Sequence, residues 1–282
     1  MTKIIINGAG SYLAKKFILS NRNNYKFVIL TTSKKVLEFY KKEKVSGFKI
    51  NKNARKSRYI LSKIKGETLI NFAACTDTNF NEETIENNIK VNILYNSLII
   101  FYLSKKNPKL NCLNLLSYYQ YNLNKKKNFE PNSFYASSKQ SFHNILYFFY
   151  IKKLIHNFCN LILFDVYGVD DKRKKLIYDL IFKKKIKIKN PNNFLYLINE
   201  KDYMIAINKI LNKLKSKKIF CETFSTPFEK VQIKKLINFL RNKKNKNKKM
   251  TNIIKLKNKG IFFKKFPLII NKLECRFQNF IK

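Results

Sequence analysis

The chain has no tryptophan, two histidines, six glycines and 17 acidic residues against 59 basic ones, and each shortage removes a class of function. The five cysteines (Cys75, Cys112, Cys159, Cys221 and Cys275) are far apart and none forms a Cys-x-x-Cys pair. With so few histidines beside them there is no zinc pattern, so no metal is expected. Scattered thiols in odd number are no disulfide framework either; they read as reduced, mostly buried cysteines of a cytoplasmic protein. Only six of the basic residues are arginine. Guanidinium is the group suited to bidentate contacts with phosphates and bases, so the formal charge of +42 does not imply a specific nucleic-acid partner. Lys, Asn, Ile, Phe and Tyr are abundant where Trp is missing. That is the bias of an AT-rich bacterial genome, and much of the charge reads as mutational drift. Non-specific affinity for polyanions at low salt remains expected. The N-terminus enters an apolar run at once, without a secretory leader, and the greasiest stretch, 145–164, is broken by Lys152, Lys153 and His156. No transmembrane segment is expected.

Hydrophobic residues make up 45% of the 282, enough for a sizeable core in one large domain or one and a half. Short β-branched or apolar runs read as strands at Lys3–Asn7, Phe27–Thr31, Phe48–Ile50, Thr68–Ala74, Asn111–Ser117 and Asn160–Tyr167. Helical periodicity separates them at Glu83–Leu103 and from Tyr135 to about Asn157. Strands alternating with helices imply βαβ units: a Rossmann-type doubly wound parallel sheet of the α/β class. Ligands of such sheets lie beyond the carboxyl ends of the strands, where Gly8, Ser117 and Tyr167 fall. After Gly168 the pattern loosens. Helices are expected at Lys174–Phe182, Asp202–Leu214 and Lys230–Leu240, and a strand at Phe194–Ile198. The Lys/Asn run 242–249 reads as a solvated linker, and the tail 253–282 as a cap on the smaller part, with an anionic membrane surface as the alternative resting place. The expected division is a dinucleotide-binding domain over 1–167 and a smaller substrate-binding region over 168–282. No internal repeat is visible.

Three stretches carry chemistry. Strand, Gly8-Ala9-Gly10-Ser11-Tyr12-Leu13-Ala14 and helix follow one another, the order that brings a phosphate to free helix N–H groups. The spacing Gly8-x-x-Ser11-x-x-Ala14 keeps small residues three apart, with serine and alanine where glycine is usual. Thr32-Ser33-Lys34 follows the second strand, and no acid stands there to bond a ribose 2′-hydroxyl; hydroxyls and cations suit a 2′-phosphate. Tyr135 and Lys139, four apart in Tyr-Ala-Ser-Ser-Lys, share one face of a helix. The ammonium is expected to pull the tyrosine's pKa down, making it a proton donor or acceptor for a carbonyl or alcohol.

In this order the motifs resemble those of the extended short-chain dehydrogenase/reductase superfamily, and within it the NAD(P)-dependent sugar-nucleotide epimerase/dehydratase family. The likeness rests on INGAGSYLA, NFAAC, Ser117, YASSK and LFDVYGVDDKR, with YLINEKD as a weaker sixth piece, and spans about residues 1–240. It implies that Gly8, Ser11 and Ala14 form the turn over the cofactor's pyrophosphate, with Tyr12 and Leu13 packed beside it. Ala73 and Ala74 match the small residues that admit the cofactor. Ser117 matches the catalytic hydroxyl, Tyr135 the proton donor, and Lys139 the residue that binds the nicotinamide ribose. Tyr167 and Arg173 match positions near the sugar-nucleotide diphosphate, although Val169 replaces the family's usual proline. The 4,6-dehydratases of the group carry an acidic pair where this chain has Tyr118 and Tyr119, so elimination chemistry is not expected. The resemblance is nearest to 4-ketoreductases that make nucleotide sugars for polysaccharide biosynthesis, using exchanged NADP(H) in preference to NAD(H). The alternatives are a 4-epimerase with retained NAD and a degenerate, non-catalytic nucleotide-binding member. Relatives often pair as homodimers, and the aromatic helix over 142–154 would serve that contact.

Overall fold

Lys3–Asn7 forms β1, and its Ile4, Ile5 and Ile6 are all fully buried. A strand hidden on both faces belongs at the centre of a parallel sheet. A computed structural model describes residues 1–122, 128–168, 190–215, 221–226 and 228–244, and the single positions Asp171, Arg173, Leu176, Asp179 and Ile188. After β1 come α1 (Tyr12–Asn21), β2 (Lys26–Thr31), α2 (Lys34–Lys42), β3 (Ser46–Lys49), α3 (Arg58–Leu61) and β4 (Thr68–Asn71). The helix expected over 83–103 is continuous but not uniform. It runs as α4 (Glu82–Asn88), a π-helical stretch (Ile89–Tyr95) and α5 (Asn96–Ser104). Then follow β5 (Asn111–Ser117), a small hairpin of β6 (Tyr121–Asn122) and β7 (Asn128–Phe129), α6 (Phe134–Ile151), β8 (Asn157–Leu163) and β9 (Asp165–Tyr167). The rest comprises β10 (Phe194–Asn199), α7 (Glu200–Leu214), β11 (Cys221–Ser225), β12 (Glu229–Gln232) and α8 (Ile233–Lys244).

Two compact units result. Among the described residues, the first holds Met1–Leu163 and Ile207–Phe224, the second Phe164–Ala206 and residues 225–244. The first is built on a seven-stranded sheet ordered β11-β8-β5-β4-β1-β2-β3, with β8 through β3 paired in parallel. The order reverses at β1, as in doubly wound dinucleotide folds. Under α5 and α6 lies a core that includes Ile5, Leu69, Cys112 and Phe158 from the strands and Ile99, Leu103, Phe142 and Leu146 from the helices. Ser11, Ser33, Asn81 and Ser133 cap α1, α2, α4 and α6 with their side-chain oxygens. The second unit has a three-stranded sheet, β12-β10-β9, with β9 parallel and β12 antiparallel to β10.

The sheet contains an unusual polar row. Asn7, Asn71, Asn114 and Asn160 are register partners on β1, β4, β5 and β8, and none exceeds 1% exposure. Their amides bond one to the next at 2.9, 3.2 and 3.1 Å. Each side chain has both a donor and an acceptor, so the row satisfies itself where an isolated buried amide would be costly. At one end Asn7 meets Asn96 and Tyr95; at the other Asn160 meets His143 and Thr223.

Several expectations need correction. The strand expected over 160–167 is two strands in two sheets. It breaks at Phe164, whose ring stacks on Phe228 in the second unit, with centroids 4.2 Å apart. Tyr167 therefore ends β9 and not a strand of the main sheet. Helix α6 stops at Ile151, where Lys153 turns with φ 56°, and β8 begins already at Asn157. Residues 229–232 are strand, not helix, because pairing with β10 overrides their periodicity. β4 ends at Asn71, three residues early. The helix expected over 174–182 falls largely outside the described residues, as do most of 242–249 and all of 253–282. Among the described residues, no helix is long and apolar enough to cross a membrane.

Candidate functional site

Gly8 leaves β1 with φ +77°, a conformation that favours glycine. A Cβ there would lie 2.4 Å from the Ala73 nitrogen and 2.6 Å from its Cα, so the turns after β1 and β4 touch backbone to backbone. Ser11 follows as the cap of α1: its N–H donates to the Gly8 carbonyl at 3.0 Å and its Oγ accepts the Ala14 N–H at 3.2 Å. The Tyr40 hydroxyl donates to the Ala9 carbonyl at 3.0 Å, tying the turn to α2. Leu13 and Ala14 are buried, and Tyr12 is half-buried beside Lys16. Ala73 and Ala74 are half-buried, and the Ala73 carbonyl accepts from Asn96 Nδ2 at 3.1 Å. After β2, Thr32 and Lys34 are exposed, while the Ser33 hydroxyl caps α2. Lys34 Nζ is 3.8 Å from Glu38, a contact on the surface that leaves the ammonium in water.

Ser117 ends β5 with its side chain buried beneath the start of α6, where it hydrogen-bonds the Tyr135 hydroxyl. Its Oγ also accepts the Tyr119 N–H at 3.3 Å. Tyr135 and Lys139 lie one turn apart on α6 and are 8% and 2% exposed. The expected fall in the tyrosine's pKa does not occur. Burial raises the Tyr135 hydroxyl to about 12; the bond from Ser117 opposes this, and Tyr119 and Cys75 nearby add to it. Burial also lowers the Lys139 ammonium to about 8. Desolvation penalises whichever form carries charge, and here it outweighs the attraction that spacing alone suggests. Among the described residues, Lys139 has no ion-pair or hydrogen-bond partner.

Sequence reasoning missed a set of asparagines behind this site. Asn88, Asn92 and Asn96 recur every fourth residue through the π-helical stretch. Asn92 accepts the Cys75 N–H at 2.8 Å and donates to the Cys75 carbonyl and the Ser138 hydroxyl, both at 2.9 Å. Ser138 in turn donates to the Tyr135 carbonyl at 2.7 Å. One amide thus fastens the loop after β4 to the turn that carries Tyr135 and Lys139. The i, i+4 spacing is the signal, but in so asparagine-rich a chain it does not stand out.

The remaining two residues lie in the second unit. Tyr167 is half-buried and hydrogen-bonds Asn199, and burial raises its hydroxyl to about 12. The Arg173 guanidinium is engaged by both carboxylate oxygens of Asp171, at 2.7 and 2.6 Å, and by the Val166 carbonyl at 3.0 Å. Much of its donor capacity is thus turned inward.

Two features fit a dinucleotide. Among the described residues the buried Lys139 ammonium has no acceptor of the kind a ribose supplies, and the Gly8–Ala73 approach keeps side chains out of the space before the N-terminus of α1. No cluster of three or more potential metal ligands occurs among the described residues.

Comparisons with known proteins bear on the family and the fold. The NAD dependent epimerase/dehydratase family model matches residues 4–200. No curated protein matches the sequence. Among solved structures, a UDP-glucuronic acid 4-epimerase variant from Bacillus cereus, in complex with NAD, superposes with a TM-score of 0.73 at 14% identity, covering 86% of this chain and 83% of that one. A UDP-glucose 4-epimerase from Thermotoga maritima gives 0.71 at 13% identity, over 88% of this chain and 84% of that one. An ADP-L-glycero-D-manno-heptose-6-epimerase from Helicobacter pylori gives 0.67 at 17% identity, over 86% and 82%. At such identities the likeness shows the fold.

Proposed function

The chain belongs to the NAD dependent epimerase/dehydratase family, within the extended short-chain dehydrogenase/reductase superfamily, and on that premise we propose that it reduces the 4-keto group of a nucleotide-activated sugar with NADP(H). The observation that carries the reading is the buried Tyr135 hydroxyl, held by Ser117 and protonated at neutral pH. A protonated tyrosine can give a proton, which is what reduction of a ketone requires, although burial makes this phenol a weaker acid than usual. Tyr135 delivers that proton to the oxygen on C4. Ser117 hydrogen-bonds the same oxygen and then steadies the phenolate left behind. When bound, the nicotinamide cofactor supplies the hydride. Gly8, Ser11 and Ala14 with the start of α1 would hold its pyrophosphate, Ala73 and Ala74 would admit it, and Lys139 would bond its ribose hydroxyls. Tyr12 and Leu13 would line that site.

NADP(H) is favoured because Thr32, Ser33 and Lys34 stand where a carboxylate would select NAD(H). The second unit, with Tyr167 and Arg173, is taken as the substrate-binding part. A homodimer belongs to the same reading: Phe101 on α5 and Phe148 and Ile151 on α6 are 36%, 52% and 55% exposed, much apolar surface for two helices. A second reading, a 4-epimerase with retained NAD, is favoured by the Bacillus cereus and Thermotoga maritima neighbours, both 4-epimerases.

The test is a fluorescence titration of the purified protein with NADPH and NADH, at moderate salt to suppress adventitious anion binding. Micromolar NADPH affinity with much weaker NADH binding, followed by turnover of 4-keto nucleotide sugars, is expected. Protein purified with NAD already bound would establish the epimerase instead, and failure to bind either cofactor would end both readings.

A further inference from the structure

Ser117-Tyr118-Tyr119-Gln120 has the Ser-x-x-Gln spacing of a capping box, and the chain uses it on a single 3-10 turn. Gln120 Oε1 accepts the Ser117 N–H at 2.9 Å while Ser117 Oγ accepts the Tyr119 N–H. The box leaves the amide group of Gln120 over. That group is fully buried and donates to Gln140 Oε1 at 2.9 Å. Gln140 directly follows Lys139 on α6, and its own amide donates to Asn144 at 3.2 Å. One side chain therefore grips the end of β5 with its oxygen and the helix of Tyr135 and Lys139 with its nitrogen.

We infer that Gln120 and Gln140 form a latch that sets Ser117 against Tyr135, making both positioning residues for the proton transfer. The inference rests on the reading of Tyr135 as proton donor. Only an amide at 120 performs both tasks: a carboxylate is acceptor-only, and an aliphatic side chain holds neither partner. The Gln120 carbonyl also accepts the Glu130 N–H at 3.0 Å, so the loop leading to α6 is anchored at the same residue. With its box closed on the Tyr119 N–H, Ser117 has its proton free for the Tyr135 oxygen.

The test uses Gln140, which is half-buried on the helix, so that the fold survives substitution. Gln140→Leu removes the acceptor of the Gln120 amide, and Gln140→Glu keeps one. In the free protein, exchange of the Ser117 amide should quicken about fivefold in Gln140→Leu and return to the wild-type rate in Gln140→Glu, the scale of one net hydrogen bond. In reduction of a 4-keto nucleotide sugar, kcat should fall about tenfold in Gln140→Leu with the NADPH Kd unchanged, and recover in Gln140→Glu. Unchanged Ser117 exchange in Gln140→Leu would refute the latch whatever the protein turns over. Faster exchange with undiminished kcat, or a matching loss of NADPH affinity, would refute the positioning role. A wild type no more active than Tyr135→Phe would sink the reductase reading instead, and the exchange rates alone would then decide the latch.

Discussion

Replacing Lys139 by methionine should stabilise the cofactor-free protein. The ammonium is 2% exposed and without a partner among the described residues, and burial moves it from 10.5 to about 8. At about 1.4 kcal/mol per pH unit, the buried charge costs about 3 kcal/mol wherever both folded and unfolded chains carry it, which is below pH 8. Between pH 8 and 10.5 the unfolded chain binds one proton more than the folded one, so the stability of the wild type rises with pH. The Lys139→Met variant should therefore be more stable by about 3 kcal/mol at pH 7, with a margin that shrinks above pH 8 and vanishes near 10.5. Tyr135 titrates alike in both proteins and drops out of the difference. Urea melts at pH 7 and pH 9.5 read the margin directly. A variant less stable at pH 7, or a margin no smaller at pH 9.5, would show that the ammonium is not stranded. On the proposed role of Lys139 in holding the cofactor, the same substitution should also abolish cofactor-dependent turnover.

Tyr135→Phe should lower kcat about 100- to 10,000-fold with folding intact, measured by steady-state kinetics against circular dichroism. Ser117→Thr should remain active, whereas Ser117→Ala opens the capping box and loses the hydroxyl; the two rates should differ by about tenfold or more. Gly8→Ala forces a methyl to 2.4 Å from the Ala73 nitrogen at positive φ, and should cost about 2–4 kcal/mol in urea melts together with NADPH binding. Asn114→Ala takes the acceptor from Asn71 Nδ2 and the donor from Asn160 Oδ1 in the core and should cost about 2–5 kcal/mol, more than an exposed asparagine such as Asn132 replaced in the same way.

The central strands are legible in the sequence because burial on both faces leaves a continuous apolar run. β1 and β5 have the limits that Lys3–Asn7 and Asn111–Ser117 suggest. The meeting of Ser117 with Tyr135 is legible through the family resemblance, since neither residue's neighbours place it beside the other. Desolvation is not legible: spacing puts an ammonium one turn from a phenol, but only the packed structure shows both residues buried. The break at Phe164 is hidden because the apolar run continues across it, and what ends the strand is a ring sixty-four residues on, Phe228. The asparagine row is hidden for a different reason. In any single strand the residue reads as an unfavourable choice, and it becomes sensible only when four strands are laid in register.

That row has a polarity. The Ala73 carbonyl can only accept, so Asn96 must turn its Nδ2 towards it and its Oδ1 towards Asn7. Asn7 Nδ2 donates both to that oxygen and to Asn71 Oδ1, Asn71 Nδ2 donates to Asn114 Oδ1, and Asn114 Nδ2 to Asn160 Oδ1. Asn160 Nδ2 then points at His143 Nδ1, 2.9 Å away, which must be bare to receive it. A backbone carbonyl beside the Gly8 turn thereby selects the tautomer of a histidine on the far side of four strands, with its proton on Nε2. Burial lowers the pKa of that imidazole and so favours its neutral form, and outweighs the opposing effect of the bond to Asn160. Protonating Nδ1 would require every amide in the line to rotate, against a carbonyl that cannot, so the line behaves as one aligned dipole with a single stable orientation.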